Sequence, residues 1–321
     1  SLPTNAIAPD RVEPSGTAPR VEREYKFSLS GMERTSLTIR ELAEGIRRAT
    51  AATVARGDLV AAASLGETYD VDDKIEDFVY FDLYFDTADR LCYHNDVAYR
   101  IRERFKSLKD FDKYSPYRIE FQAKVNRRDL GEGLSAVEES RFEFRMESEP
   151  FGADNPPPPP PWDLTEFIAC FKAGKYGKYS LWPTRSVVDY LIPARSVVCE
   201  LDFQPCLALV TERWRHHVNV KTPWGSGPNP EQAFVVSIDK STLYGAKEWL
   251  EYWESRKRAG EGAVKPKPSG SFLEIEVEFE RNVSKELDRS VGKNDAPASI
   301  RDLFLSDQKK IMAIAVNHLS T

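Results

Sequence analysis

The stretch RVEREYKFSL, Arg20 to Leu29, alternates between charged or polar and apolar side chains, and its polar parity carries Glu22, Glu24 and Lys26 together. A period of two is the mark of a strand, whose side chains alternate between faces, so these three charges point the same way. Two like charges and an opposite one on one face need a physical reason. The rest of the chain supplies it by repeating the pattern with different signs.

In FLEIEVEFE, Leu273, Ile275, Val277 and Phe279 share one parity and Glu274, Glu276, Glu278 and Glu280 the other. In VAYRIRERF the even positions are Arg100, Arg102 and Arg104. YRIEFQAKV groups Arg118, Glu120, Gln122 and Lys124, and VEESRFEFRM groups Glu139, Arg141, Glu143 and Arg145. LVTERWRHHVNVK groups Thr211, Arg213, Arg215, His217, Asn219 and Lys221 against Val210, Trp214, Val218 and Val220. A single strand of this kind is explained by an open sheet with one wet face. The set is harder to explain so, because the faces are nearly saturated with charge and the signs segregate. Like charges at i, i+2 repel unless a counter-charge or ion joins them. A lumen lined by such faces would hold a polyanion on its basic side and a divalent cation on its acidic side. Mg²⁺ or Mn²⁺, which take oxygen ligands and bind phosphate at the same time, reconcile both signs.

The rest of the sequence bounds this reading. With 321 residues, 41% hydrophobic and 30% charged, the chain has material for a real core. A formal net charge of −6 argues against a globally basic nucleic-acid binder, so no duplex binding is expected. There is no run of about 18 apolar residues and no signal-peptide core near the amino terminus, so a cytoplasmic protein without a membrane anchor is expected. Cys92, Cys170, Cys199 and Cys206 lack CxxC spacing and read as reduced and mostly buried, and four histidines without HExxH make a histidine zinc site a poor fit.

Along the chain, residues 1–19 read as a flexible tail. Gly31 to about Arg56 shows helical spacing, with Leu37, Leu42 and Ile46 on one face. A series of strands rich in aromatic and β-branched residues follows. Six consecutive prolines, Pro156–Pro161, cannot join a sheet ladder and mark an insertion at about 150–185, with a short helix between Asp163 and Gly174. Strands resume with SVVCELDF. AKEWLEYWESRKRAG reads as a helix, and a closing helix is expected at about 298–318. Eight or nine strands and four or five helices, without regular alternation, predict a mainly β, α+β fold: a closed antiparallel β-barrel with helices packed outside.

The motifs resemble those of the CYTH proteins, also called triphosphate tunnel metalloenzymes. EREYK at Glu22–Lys26 has the opening ExExK form. YFDT (Tyr84–Thr87), YRIRER (Tyr99–Arg104), FQAK ending at Lys124, ERWR (Glu212–Arg215), SID (Ser237–Asp239) and LEIEVE (Leu273–Glu278) follow in the family's order. The resemblance spans residues 20–280 and implies an eight-stranded triphosphate tunnel within a single domain, 20–321. By position it makes Glu22, Glu24, Glu274 and Glu276 metal ligands, with Glu278 a neighbour. Lys26, Arg100, Arg102, Lys124, Arg213 and Arg215 become phosphate ligands, and Glu22, Glu24, Lys26 and Arg102 the residues of catalysis. Asp86 of YFDT also reads as fixing a turn, His217 as an ordinary strand histidine, and Trp162, Trp182, Trp249 and Trp253 as core. The insertion and residues 57–76 exceed the compact family core and are candidates to cap the tunnel.

The resemblance implies a divalent-metal-dependent triphosphatase acting on inorganic tripolyphosphate, nucleoside triphosphates or other organic triphosphates. The alternatives are a class IV-type adenylyl cyclase, a polyphosphate-polymerising enzyme, and a polyphosphate or nucleotide binding module without turnover. The expected partner is a small-molecule triphosphate or polyphosphate, with a homodimer left open.

Overall fold

The computed structural model describes residues 20–30, 36–94, 98–113, 116–129, 135–145, 204–220, 231–259, 262–279 and 297–319. The expected tail at 1–19, the insertion with its proline run and helix, and the SVVCELDF strand lie outside these residues, as do Cys170 and Cys199. The described chain runs β1 (Arg20–Ser30), α1 (Ser36–Ala55), α2 (Ala61–Ser64), β2 (Tyr69–Val71), β3 (Glu76–Asp86), α3 (Leu91–His94) and β4 (Ala98–Phe105). It continues with α4 (Leu108–Asp112), β5 (Arg118–Asp129), β6 (Ser135–Arg145), β7 (Gln204–Val220) and β8 (Glu231–Gly245). Helix α5 (Ala246–Ala259), β9 (Gly270–Phe279) and α6 (Pro297–Leu319) complete it. The helices expected from Gly31 and from residue 298 are thus α1 and α6.

The fold is a mainly antiparallel β sheet with several helices, α+β. Its strand order is β2-β7-β3-β4-β5-β6-β1-β9-β8, and β7 pairs in addition with β8. Starting from β7, hydrogen bonding passes through eight strands and returns to β7 along the Leu207–Val220 ladder. β2 stands outside this circuit, pairing with Val218–Val220 beyond the point where β3 leaves β7.

The apolar parity faces the helices. Ile39, Leu42 and Ile46 of α1 and Phe304, Ile311, Met312 and Ala315 of α6 pack with Trp214, Val218, Phe234, Val236, Ile275, Val277 and Phe279 in one buried cluster. Full burial of one such side chain contributes about 1.5–3 kcal/mol, so this layer supplies much of the driving force for folding. Gln308 Nε2 of α6 donates to the Val277 carbonyl at 2.7 Å, fixing the helix against β9. Around the sheet, α5 covers a second apolar patch, where the Trp249 ring lies 5.3 Å from Phe81 and 4.6 Å from Tyr244. Trp249 and Trp253 are core residues, as read from the sequence.

Residues 57–76 contribute Leu59, Ala61, Ala62, Tyr69 and Val71 to the cluster around α1 and α6. Asp307 of α6 holds this segment, accepting from the Val60 N–H at 3.1 Å, the Ala61 N–H at 2.8 Å and the Tyr69 hydroxyl at 3.0 Å. The described cysteines are free thiols, Cys92 buried but Cys206 exposed, because Cys206 sits among the first, half-covered residues of β7.

Candidate functional site

With the apolar parity committed to the helices, the charged parity has the other side of the sheet. There, a cavity of about 730 Å³ is lined from β1 by Glu24 and Lys26, from β3 by Asp82 and Tyr84, and from β4 by Arg100 and Arg102. Its wall continues with Lys124 of β5, Thr211 and Arg213 of β7, Asp239 and Ser241 of β8, and Glu274, Glu276 and Glu278 of β9. Tyr93 and His94 of α3 and Phe272 also border it. The volume is that of a small-molecule site.

Register brings the motifs together. β1 and β9 are antiparallel with Ser28 opposite Glu274, Lys26 opposite Glu276 and Glu24 opposite Glu278. The acidic row of β9 therefore lies alongside the ExExK row on the same face of the sheet. Lys26 Nζ lies 2.8 Å from Glu24 Oε1 and 3.1 Å from Glu276 Oε1, neutralising a carboxylate on each strand. Ser28 Oγ donates to Glu274 Oε2 at 2.8 Å.

Two aspartates that the sequence reading left without a role organise the basic side. Asp82, 0% exposed, accepts from Arg102 Nε and Nη2, both at 2.7 Å, and lies 3.4 Å from Arg100 Nη1. Burial alone would raise its pKa, but the Arg100 and Arg102 charges outweigh that and hold it at about 2. Arg100 is further fixed by Gln122, whose Oε1 accepts from Nε at 2.8 Å, and by the Tyr84 hydroxyl, 2.9 Å from Nη1. Asp239 makes a similar fork with Arg213, whose Nε donates to Oδ1 at 2.7 Å while Nη2 reaches Oδ2. The same Nη2 donates to Glu276 Oε2 at 2.6 Å. The available signals were modest: Asp82 shares the parity of Tyr84 in FVYFDLYFDT, and Asp239 ends the SID motif.

The acidic side is crowded. One oxygen each from Asp239, Glu274 and Glu276 lie within 4.8 Å of one another. Burial, then the Glu276 charge, pushes the Glu274 carboxyl up to about 7. Glu276 is buried too, yet Lys26, Arg213 and Lys124 hold it well below the usual carboxylate range. Three converging carboxylates with no thiol or imidazole among them are a hard-cation donor set, so the residues present fit an oxygen-preferring divalent cation.

Of the residues singled out in the sequence, Glu24, Lys26, Arg100, Arg102, Lys124, Arg213, Glu274 and Glu276 therefore meet at one cavity. The Glu22 side chain lies outside the described residues, although its backbone is in β1 opposite Glu139. Arg215 does not border the cavity: its Nε donates to Glu76 Oε2 at 2.6 Å and its guanidinium covers the Phe78 ring at 4.6 Å. His217 Nδ1 lies 2.7 Å from Asp72 Oδ2, and Asn219 Nδ2 donates to Asp72 Oδ1 at 2.8 Å, a structural role for this histidine. Asp86 fixes a turn, as the sequence suggested, accepting from the N–H groups of Thr87 at 2.7 Å, Cys92 at 2.9 Å and Tyr93 at 3.1 Å.

No family model and no curated protein matches the chain. Among solved structures, it is similar to a candidate adenylyl cyclase from Hippeastrum described as revealing a dominant triphosphatase activity, with 17% identity over 84% of this chain and 85% of that one and a TM-score of 0.35. It is also similar to a candidate adenylate cyclase from Bacillus halodurans, 11% identical over 91% of each chain with a TM-score of 0.34. An RNA triphosphatase from S. pombe is 9% identical over 93% of this chain and 82% of that one, with a TM-score of 0.28. The functional reading rests on the cavity itself.

Proposed function

We propose that the protein is a divalent-metal-dependent hydrolase of triphosphate-containing substrates, working in a tunnel closed by the eight-strand circuit. The observation that carries this reading is the division of one cavity into a cationic wall, with Arg100, Arg102, Lys124 and Arg213, and a carboxylate wall, with Asp239, Glu274 and Glu276. An anion-binding module gains nothing from three converging carboxylates, whereas a metal-assisted phosphoryl transfer needs both walls.

Asp239, Glu274 and Glu276 would hold Mg²⁺ or Mn²⁺, with Glu22 and Glu24 on the adjoining strand as further carboxylates. The cation, when bound, supplies polarisation of the terminal phosphoryl group and neutralisation of its charge. The protein's own groups do the rest. Arg100 and Arg102 offer forked donors to phosphate oxygens, and Lys26 and Lys124 offer compact charges. Asp82 and Gln122 hold the forks in place before substrate arrives, so the donors need no reorganisation as charge develops on the transferred oxygens. Lys26, between the two walls, balances Glu24 and Glu276.

The test is orthophosphate release from tripolyphosphate with Mg²⁺ or Mn²⁺, and product chromatography with ATP. Glu276→Gln should lower the rate by about 10²–10³-fold, the usual effect of losing one electrostatic group at such a site. No release from any triphosphate by the native chain, or cyclic nucleotide with pyrophosphate as the products, would sink the hydrolase reading.

A further inference from the structure

Tyr80 has the parity of Asp82 and Tyr84, yet it does not border the cavity. Its ring is buried next to the cavity-lining Arg102 and Arg213 and is met by guanidinium groups from the strands on both sides of β3. Arg102 Cζ of β4 lies 4.5 Å from the ring centroid, Arg104 Cζ of β4 5.1 Å, and Arg213 Cζ of β7 5.4 Å. The ring is 1% exposed. Three like charges gathered around one buried point repel one another, and carboxylates answer part of that repulsion: Asp82 takes Arg102, and Asp239 with Glu276 takes Arg213. The negative face of an aromatic ring adds an attraction for each guanidinium, one that strengthens when the pair is desolvated.

We infer that Tyr80 is a positioning residue. Its π-face draws Arg102 and Arg213, which belong to strands on opposite sides of β3, into one cluster so that they meet a polyphosphate together. The phosphate-binding role of the two arginines rests on the function proposed above; what is new is the ring that sets their spacing. Paired spacing rewards an anion long enough to reach both groups, so Tyr80 favours triphosphate over a single phosphate.

Binding, not turnover, tests this. Dissociation constants for tripolyphosphate and orthophosphate are measured without added metal on chains carrying Tyr, Phe, 4-fluoro-Phe and pentafluoro-Phe at position 80, a series that keeps the ring's shape while draining its π-face. Tyr80→Phe should bind tripolyphosphate within about two-fold of the native chain, and pentafluoro-Phe about ten-fold more weakly, with a smaller loss for orthophosphate. A smaller folded fraction would lower the number of sites without changing the ratio of the two constants. An unchanged ratio across the series overturns the positioning role alone; a native chain that binds neither anion sinks the phosphate-site reading as well. Tyr80→Leu should reproduce the pentafluoro-Phe result, and native-like affinity in it would also overturn the role.

Discussion

Asp82 and Asp239 look alike and behave in opposite ways. Each is buried at the cavity wall and each receives an arginine fork, yet the pKa of Asp82 is lowered to about 2 and that of Asp239 is raised. Burial raises both; what differs is the ratio of charges. Asp82 stands between two guanidinium groups, Arg100 and Arg102. Asp239 shares the single Arg213 with Glu276 and has Glu274 close by. One side of the cavity is therefore richer in positive charge and the other richer in negative charge. The same pair motif, at two stoichiometries, gives the cavity its polarity.

The largest consequence of breaking the comparison falls on Asp82. Removing one partner of a buried ion pair leaves uncompensated charge and costs about 3–5 kcal/mol. Asp82→Asn strands two guanidinium groups at once and should lose that much stability in urea denaturation. Asp239→Asn should lose distinctly less, because Arg213 keeps Glu276. Equal losses would mean that the stoichiometry argument is wrong.

Acid sharpens the contrast by a smaller amount. The folded-state pKa of Asp82, about 2, is below the ordinary 3.8, so its stabilisation is fully present above about pH 4 and is lost as pH falls towards 2. His216, lowered by burial from 6.5 to about 3, acts in a higher window. The unfolded chain binds the proton first, so the His216 contribution to stability declines as pH drops below about 6.5. Glu274, pushed up to about 7 by burial, takes its proton first in the folded state and opposes that decline. The upper window is therefore read as a difference: His216→Gln should gain on the native chain in unfolding midpoint as pH falls from 7 to 4. In the lower window the native midpoint should fall and Asp82→Asn should flatten it; a lower window that survives in Asp82→Asn would assign the acid sensitivity elsewhere.

How much of this was legible in the sequence follows from what a strand's period encodes. Parity separated the residues that pack under α1 and α6 from those that line the cavity, and Glu24, Lys26, Arg100, Arg102, Arg213, Glu274 and Glu276 are among the latter. Period two gives a face but no depth. Depth within the cavity comes from register between segments far apart in sequence, such as Lys26 opposite Glu276 and Arg213 opposite Asp239. Pairing also decides whether a carboxylate is a ligand or a clamp, which is why Asp82 carried no visible role until β3 was set beside β4. The circuit of strands depends on the β7–β8 ladder, which no local pattern announces.

Arg215 shows the limit of parity and gives the smallest expected effect. It shares a face with Arg213, and the sequence motif ERWR makes the two look equivalent. Arg213 serves two buried carboxylates at the cavity, whereas Arg215 pairs with one half-exposed carboxylate, Glu76, beside Phe78. Exposed pairs contribute about 0.2–1 kcal/mol. Arg215→Ala should therefore cost less than about 1 kcal/mol in stability and change kcat/KM for tripolyphosphate by less than about five-fold, a loss that salt would shrink further. Arg213→Ala, measured beside it, should lose far more in kcat/KM. Should both variants lose alike, a bound triphosphate must extend past Tyr80, and the polarity set by Asp82 and Asp239 would describe only part of the site.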